Sequence, residues 1–218
     1  MAKVRHWVFD LDDTLYPEND YVHSALQYVG RHVEQMFGDD QFAALLLHLW
    51  REGSVDPIAQ TWLQCALPDA ERASVVAAMR AHAPSITLSV GAQAVLARLR
   101  QAGRAYAIVT DGRSITQRAK IAALGCLDAE NVSISEEVGL SKLDPERFLA
   151  VARAFLPGQF YYVGDNPAKD FVVPKQLGWE TIMLDHQGHG VHSQTLPHDV
   201  TYHPDRVVTD LVDILPEL

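Results

Sequence analysis

Two cysteines, Cys65 and Cys126, are the only thiols in 218 residues. Both lie among apolar neighbours, which argues against a disulfide framework and makes a reducing cytoplasm the expected setting. No segment approaches the roughly 20 consecutive apolar residues of a membrane span. The apolar run within MAKVRHWVFDLD is too short for a secretory leader. The chain contains neither internal repeats nor low-complexity tracts. Cations are outnumbered, with 18 Lys and Arg against 28 Asp and Glu, for a formal net charge of -10. That balance argues against a nucleic-acid backbone or an anionic membrane as the main partner. A small anionic substrate stays open, because a bound cation reverses the sign of a site locally.

What is present is an ordinary soluble composition, 48% apolar and 21% charged, in a chain long enough for a core plus a smaller subdomain. VRHWVFD (4–10) predicts a first strand. Val22, Ala25, Leu26, Val29, Val33 and Met36 recur at helical spacing. Phe42, Leu45, Leu46, Leu49 and Trp50 repeat the pattern after the turn Gly38-Asp39-Asp40. Asp56-Pro57 pairs a cap with a first-turn proline, and Asp69 opens a fourth helix. Residues 17–83 are thus expected to be all helical. From residue 84 the rhythm alternates. Helices are expected at 92–102, 114–124, 145–155 and 168–177, with strands at 105–110, 131–135, 160–165 and 180–185. Strands alternating with helices of this length imply parallel βαβ units with right-handed crossovers. The expected fold class is therefore α/β, a doubly wound parallel sheet built from 1–16 and 84–218. A four-helix insert (17–83) lies above the carboxyl ends of its strands, where ligands bind in such sheets.

Polar residues concentrate at those strand ends. The first strand runs into Asp10, with Asp12, Asp13 and Thr14 just beyond. The second ends at Thr110-Asp111, the fourth at Asp165 with Asp170 shortly after, and Lys142 precedes a helix opened by Asp144-Pro145. A parallel sheet brings them all to one edge. Like charges this close repel, so a cation is expected there. Mg²⁺ takes oxygen ligands from one or two carboxylates, waters and phosphate. A carboxylate can attack phosphorus, while lysine, hydroxyl and N–H groups stabilise the equatorial oxygens. A second carboxyl group can protonate the leaving alkoxide and later deprotonate water.

In these motifs the sequence resembles the haloacid dehalogenase-like superfamily. They are Asp10-Leu11-Asp12-Asp13-Thr14, Thr110 in IVTDG, Lys142-Leu143-Asp144-Pro145, and Gly164-Asp165 through Asp170, in the family's order and over 4–185. The resemblance implies a Rossmann-like core with Asp10 as nucleophile and metal ligand. It implies Asp12 as general acid/base and, through its carbonyl, a ligand. Thr110, Lys142 and the Asp111 N–H would hold phosphate, and Asp165 would complete a Mg²⁺ site. Thr14 and Asp170 would support the site from behind, and the insert would be a C1-type cap. Leu143 stands where proline is frequent, a departure that touches the geometry of the lysine loop.

Plainer readings exist for each residue alone. Asp and Thr are common in turns and at strand ends, and Lys142 could be an ordinary surface lysine. His186, His189 and His192 form an H-x₂-H-x₂-H run whose simplest reading is a solvated loop rather than a zinc site. Cap residues His23, Arg31, His48 and Arg51 could face substrate or merely solvent. Within the resemblance, haloacid dehalogenases need no second aspartate like Asp12. Phosphonatases need a cap lysine, and none occurs between Lys3 and Lys120. A phosphomutase and a non-catalytic phospholigand-binding module stay open as alternatives. The expectation is a Mg²⁺-dependent phosphatase, monomeric or homodimeric. Its substrate would be a small phosphorylated metabolite, first a nucleoside 5'-monophosphate and second a sugar phosphate.

Overall fold

A computed structural model describes residues 4–126 and 128–218; the first three residues of the expected core lie outside them. Its centre is β1, Arg5–Phe9, whose β-branched and aromatic side chains are buried beyond Arg5. Val8 sits in register between Ala107 of β2 (Tyr106–Thr110) and Tyr162 of β4 (Gln159–Gly164), both parallel to it. The sheet extends through β3 (Asn131–Ile134) on one side. On the other it adds β5 (Glu180–Leu184) and β6 (Arg206–Val208). The order is β3-β2-β1-β4-β5-β6, so strand order reverses at β1. In an open α/β sheet that reversal opens a crevice at the carboxyl ends.

The strand period of two divides the core between the faces. Trp7 and Phe9 pack on one face, with Val95, Leu96 and Leu99 of α5 (Val90–Gln101), Ile121 of α6 (Ser114–Ala123) and Ile214 near the C-terminus. Val8, Val109 and Tyr162 pack on the other, with Phe148 and Val151 of α8 (Pro145–Ala152) and Val173 of α9 (Val172–Gln176).

The segment after β1 is all helical: α1 (Glu18–Phe37), α2 (Phe42–Arg51), α3 (Pro57–Gln64) and α4 (Asp69–Ala81). It has its own apolar cluster, with Val29 and Val33 of α1, Phe42 and Leu46 of α2, Trp62 of α3 and Val75 of α4. At Gly30 a methyl group would meet Ala43 Cβ at 2.7 Å, so the absence of a side chain lets α1 and α2 approach closely. Asp56 caps α3 by accepting the Ala59 N–H, as its Asp-Pro pair predicts.

His82 pins the end of this segment. Its ring is buried, with Nε2 3.1 Å from Ser24 Oγ of α1 and Nδ1 against Met79 O. Ser24 Oγ also accepts the Ser85 N–H, so the hydroxyl proton is free to go to Nε2, which suits a neutral ring. Burial lowers the His82 pKa below its usual 6.5. The unfolded chain then binds more protons than the folded one, and stability falls as pH drops below that value. Denaturant unfolding at pH 7.5 and 5.5 is expected to show this loss, and His82→Asn to show a shallower dependence.

Two expected helices need correction, and two elements were not foreseen. Helix 168–177 shrinks to α9, because Asn166 Oδ1 accepts the Ala168 N–H and Asp170 accepts the Asn166 N–H, winding 166–170 into a loop. Helix 145–155 ends at Ala152. Neither β6 nor the one-turn α7 (Ser135–Val138) was expected. Among the described residues both cysteines are free, and no helix is long and apolar enough to cross a membrane.

Candidate active site

The loop leaving β1 is tightly wound. Asp10 N–H still bonds across to Val163 O, and the Leu15 N–H returns to Leu11 O. Asp13 adopts φ 49°, the left-handed region that Asp tolerates better than most side chains. Its carboxylate secures that turn by accepting the N–H groups of Glu18 (2.7 Å) and Val191 (2.6 Å). Thr14 is buried beneath the loop, and its hydroxyl has no protein partner.

Lys142 is buried, and its Nζ lies 2.7 Å from Asp10 Oδ1 and 2.8 Å from Asp170 Oδ1. Burial works against its charge, yet Asp10 and Asp170 hold its pKa well above the usual value. Asp170 Oδ2 accepts the Asn166 N–H at 2.8 Å, so both of its oxygens are engaged within the protein. Gly164 makes room for this: a methyl group there would meet Asp170 Oδ2 at 2.6 Å. Leu143 in place of proline does not turn the ammonium away.

Asp165 is different. Its Oδ2 is buried without a hydrogen-bond partner, and burial, reinforced by Asp10 and Asp170, pushes its pKa up to about 9. Asp10 is pushed up to about 6 by burial, against the pull of Lys142. Oxygens of Asp10, Asp165 and Asp170 lie within 4.8 Å of one another. Three oxygen donors, one of them unpartnered and stripped of water, fit a hard divalent cation; Asp10 and Asp165 are the pair with oxygens to spare.

Asp12 faces the same space. Burial would raise its pKa, but Lys120, then Tyr16 and Gln117, outweigh that and hold it below the usual range. Lys120 Nζ lies 2.7 Å from Oδ1, which also accepts the Tyr16 hydroxyl, and Gln117 Nε2 donates to Oδ2 at 2.8 Å. Thr110 Oγ1 accepts a second bond from Gln117 at 2.6 Å. The Asp111 carboxylate pairs with the buried Arg147 and lies 3.4 Å from Lys169 Nζ. Arg147 also donates to the carbonyls of Thr110, Ser133 and Leu140, bracing the ends of β2 and β3 and the approach to Lys142.

Asp10, Asp12, Thr110, Asp111 and Asp165 converge on one cavity of about 70 Å³, as the strand-end argument expects. Lys142 and Asp170 stand directly behind Asp10. Glu18, Lys169 and His192 complete the walls, and Glu18 is pushed up to about 7 by burial and by Asp12. Glu18 is the insert's only contribution to the lining. His23, which could have faced substrate, instead stacks on Trp50.

The histidine run is not drawn together. His186 Nε2 lies 3.8 Å from Asp165 Oδ2, His189 offers its carbonyl to Asn19, and His192 lines the cavity. His186 Nδ1 accepts the Gly190 N–H at 3.0 Å, so a neutral ring carries its proton on Nε2, toward Asp165. With Asp13 and Asp165, His186 forms a second grouping of potential metal ligands, although both Asp13 oxygens already accept backbone N–H groups.

Sequence reasoning missed Gln117, Lys120 and Arg147. The available signal was a polar residue standing on an apolar stripe: Gln117 precedes Ile121 and Leu124 at helical spacing, and Arg147 precedes Val151.

The chain is similar to proteins of known activity and known structure. A glyceraldehyde 3-phosphate phosphatase of Pyrococcus furiosus is 28% identical over 230 aligned positions, covering 100% of this chain and 94% of that protein. A phosphoserine phosphatase of Thermus thermophilus is 35% identical over 126, covering 56% and 48%. Among solved structures, the HAD-hydrolase YfnB from Bacillus subtilis superposes with a TM-score of 0.62 at 20% identity, covering 100% of this chain and 99% of that one; at that identity the likeness shows the fold alone. The sequence model of the haloacid dehalogenase-like hydrolases matches residues 4–178, and the chain belongs to that family.

Proposed function

We propose that the protein is a Mg²⁺-dependent phosphomonoester hydrolase acting on a small phosphorylated metabolite through an aspartyl-phosphate on Asp10. The observation that carries this reading is the convergence of Asp10, Asp12, Thr110 and Asp165 on one small cavity with Lys142 bonded to Asp10. Relatives named as phosphatases of small metabolites support it. Mg²⁺ held by Asp10, Asp165 and the Asp12 carbonyl would neutralise phosphoryl charge and the crowding of carboxylates.

Lys142 holds Asp10 in line and shares the charge of the phosphoryl oxygens. Thr110 Oγ and the Asp111 N–H bind two of those oxygens. Asp10 attacks phosphorus, and the bond to the ester oxygen breaks as Asp12 gives that oxygen a proton. Asp12 then takes a proton from the water that attacks the acyl phosphate, releasing inorganic phosphate and restoring Asp10. The clamp on Asp12 holds it ionised at rest, the form that receives a proton. A monoester binding as its monoanion, with a second pKa of about 6, brings the proton that Asp12 passes on.

A cavity of about 70 Å³ is far below the roughly 300 Å³ at the small end of sites that enclose a drug-sized ligand. It suits a phosphoryl group with little attached. With full-length likeness to glyceraldehyde 3-phosphate phosphatases, this favours a short sugar phosphate over a nucleoside 5'-monophosphate. The test is phosphate release from p-nitrophenyl phosphate and from a panel of triose, pentose and nucleoside phosphates, with Mg²⁺ and with chelator. Turnover is expected only with the metal and fastest on the short sugar phosphates. Equal release in chelator would refute the mechanism.

A further inference from the structure

Helix α6 carries two buried polar side chains one turn apart, Gln117 and Lys120, and in the reaction above neither touches the phosphoryl group or the leaving oxygen. An ammonium group removed from water is costly unless paired. Lys120 is paired three ways. It bonds to Asp12 Oδ1 at 2.7 Å, lies 3.9 Å from Glu18 Oε1, and stands 4.2 Å from the centre of the Tyr21 ring. Gln117 donates from one nitrogen to both Asp12 Oδ2 and Thr110 Oγ1. A carboxylate only accepts, so that nitrogen, and not the amide oxygen, must face Asp12. The Thr110 oxygen thereby receives a hydrogen bond and keeps its own proton for another acceptor, at a position where Thr110 lines the cavity.

We infer that Gln117 and Lys120 are positioning residues for phosphoryl transfer. Lys120 holds the Asp12 carboxylate where the leaving oxygen departs, and Gln117 ties that carboxylate to Thr110 and turns the threonine proton toward the phosphoryl group. The inference rests on the phosphatase reading and adds to it a dependence on the helical insert. Glu18 and Tyr21 belong to α1, whereas Asp12 and α6 belong to the core. Lys120 is thus held from both sides, and the alignment of Asp12 depends on α1 being seated against α6.

The test uses two esters that differ in their need for a proton. A p-nitrophenolate leaves unaided, whereas the alkoxide of glycerol 2-phosphate must be protonated. In the Mg²⁺-loaded protein, Lys120→Met is expected to lower kcat/KM, which reports only the steps up to departure of the leaving group, by about 100-fold on glycerol 2-phosphate and by less than about 5-fold on p-nitrophenyl phosphate, with Lys120→Arg recovering much of the loss. In an Asp12→Asn background the same Lys120→Met change is expected to cost nothing further on p-nitrophenyl phosphate, because Lys120 acts through Asp12. Thermal unfolding establishes that each variant is folded. If Lys120→Met does not fold, Gln117→Leu takes its place; because its Thr110 contact serves both esters, both are expected to fall, and glycerol 2-phosphate by about 10-fold more than p-nitrophenyl phosphate. Equal losses on both esters, or an undiminished effect in the Asp12→Asn background, would overturn the inference and leave the phosphatase reading standing. A wild-type protein inert toward both esters would overturn the reading itself and the inference with it.

Discussion

Asp10→Asn is expected to reduce turnover by a factor of roughly 10⁵ or more, the scale seen when a covalent nucleophile is removed. Asparagine keeps the shape of aspartate and can still meet Lys142, so the loss reports the missing nucleophile and not a collapsed site. Stability is expected to move the other way or not at all. Burial pushes the Asp10 carboxyl up to about 6, so above that pH the metal-free folded protein carries an ionised group that the unfolded chain hydrates better. A neutral amide removes that cost, while Lys142 keeps Asp170. The thermal midpoint in chelator is therefore expected to match or exceed that of the wild type. A variant retaining more than about 1% of the turnover would be incompatible with covalent catalysis at this position.

Lys142→Met is expected to damage both properties. Among the described residues Lys142 is the one cation bonded to Asp10 and Asp170, at 2.7 and 2.8 Å, and all three groups are buried. Removing one partner of a buried ion pair costs about 3–5 kcal/mol, because the remaining charge has no compensation. For a chain of this size that corresponds to a fall of roughly 10 °C in Tm. Turnover should disappear with it. Adding Asp170→Asn removes one of the stranded charges, so the double variant is expected to recover part of the Tm and none of the activity. A single variant that melts with the wild type would mean that the ammonium contributes little to holding the strand ends together.

The residues of the candidate site were legible because their types are unusual where they stand. A run of Asp after a buried strand, a Thr-Asp-Gly, a Lys before Asp-Pro and a Gly-Asp pair each break the pattern of an apolar core, and the parallel sheet brings them to one edge. The helical insert was legible because its apolar residues recur at 3.6 and serve a cluster of their own around Val29, Phe42 and Trp62. The rest was hidden for reasons that are equally physical. β6 has three residues at the sheet edge and too little length to show a period. The helix expected at 168–177 starts late because Asp170 accepts the Asn166 N–H and Asn166 Oδ1 accepts the Ala168 N–H, contacts that hold a loop there instead. Gln117, Lys120 and Arg147 act on groups 7 to 108 positions away in the chain, and no local pattern records such partners.

The central place of β1 bears on how the molecule is assembled. Trp7 pairs with Tyr106 on one side and Tyr161 on the other. β1 therefore cannot pair on both sides until the chain has extended as far as β4. Closing such long loops slows folding, whereas the insert can gather its own cluster from a contiguous stretch of chain. A nascent chain that stops short of Gln159 would leave one side of β1 unpaired, an edge open to pairing with other molecules.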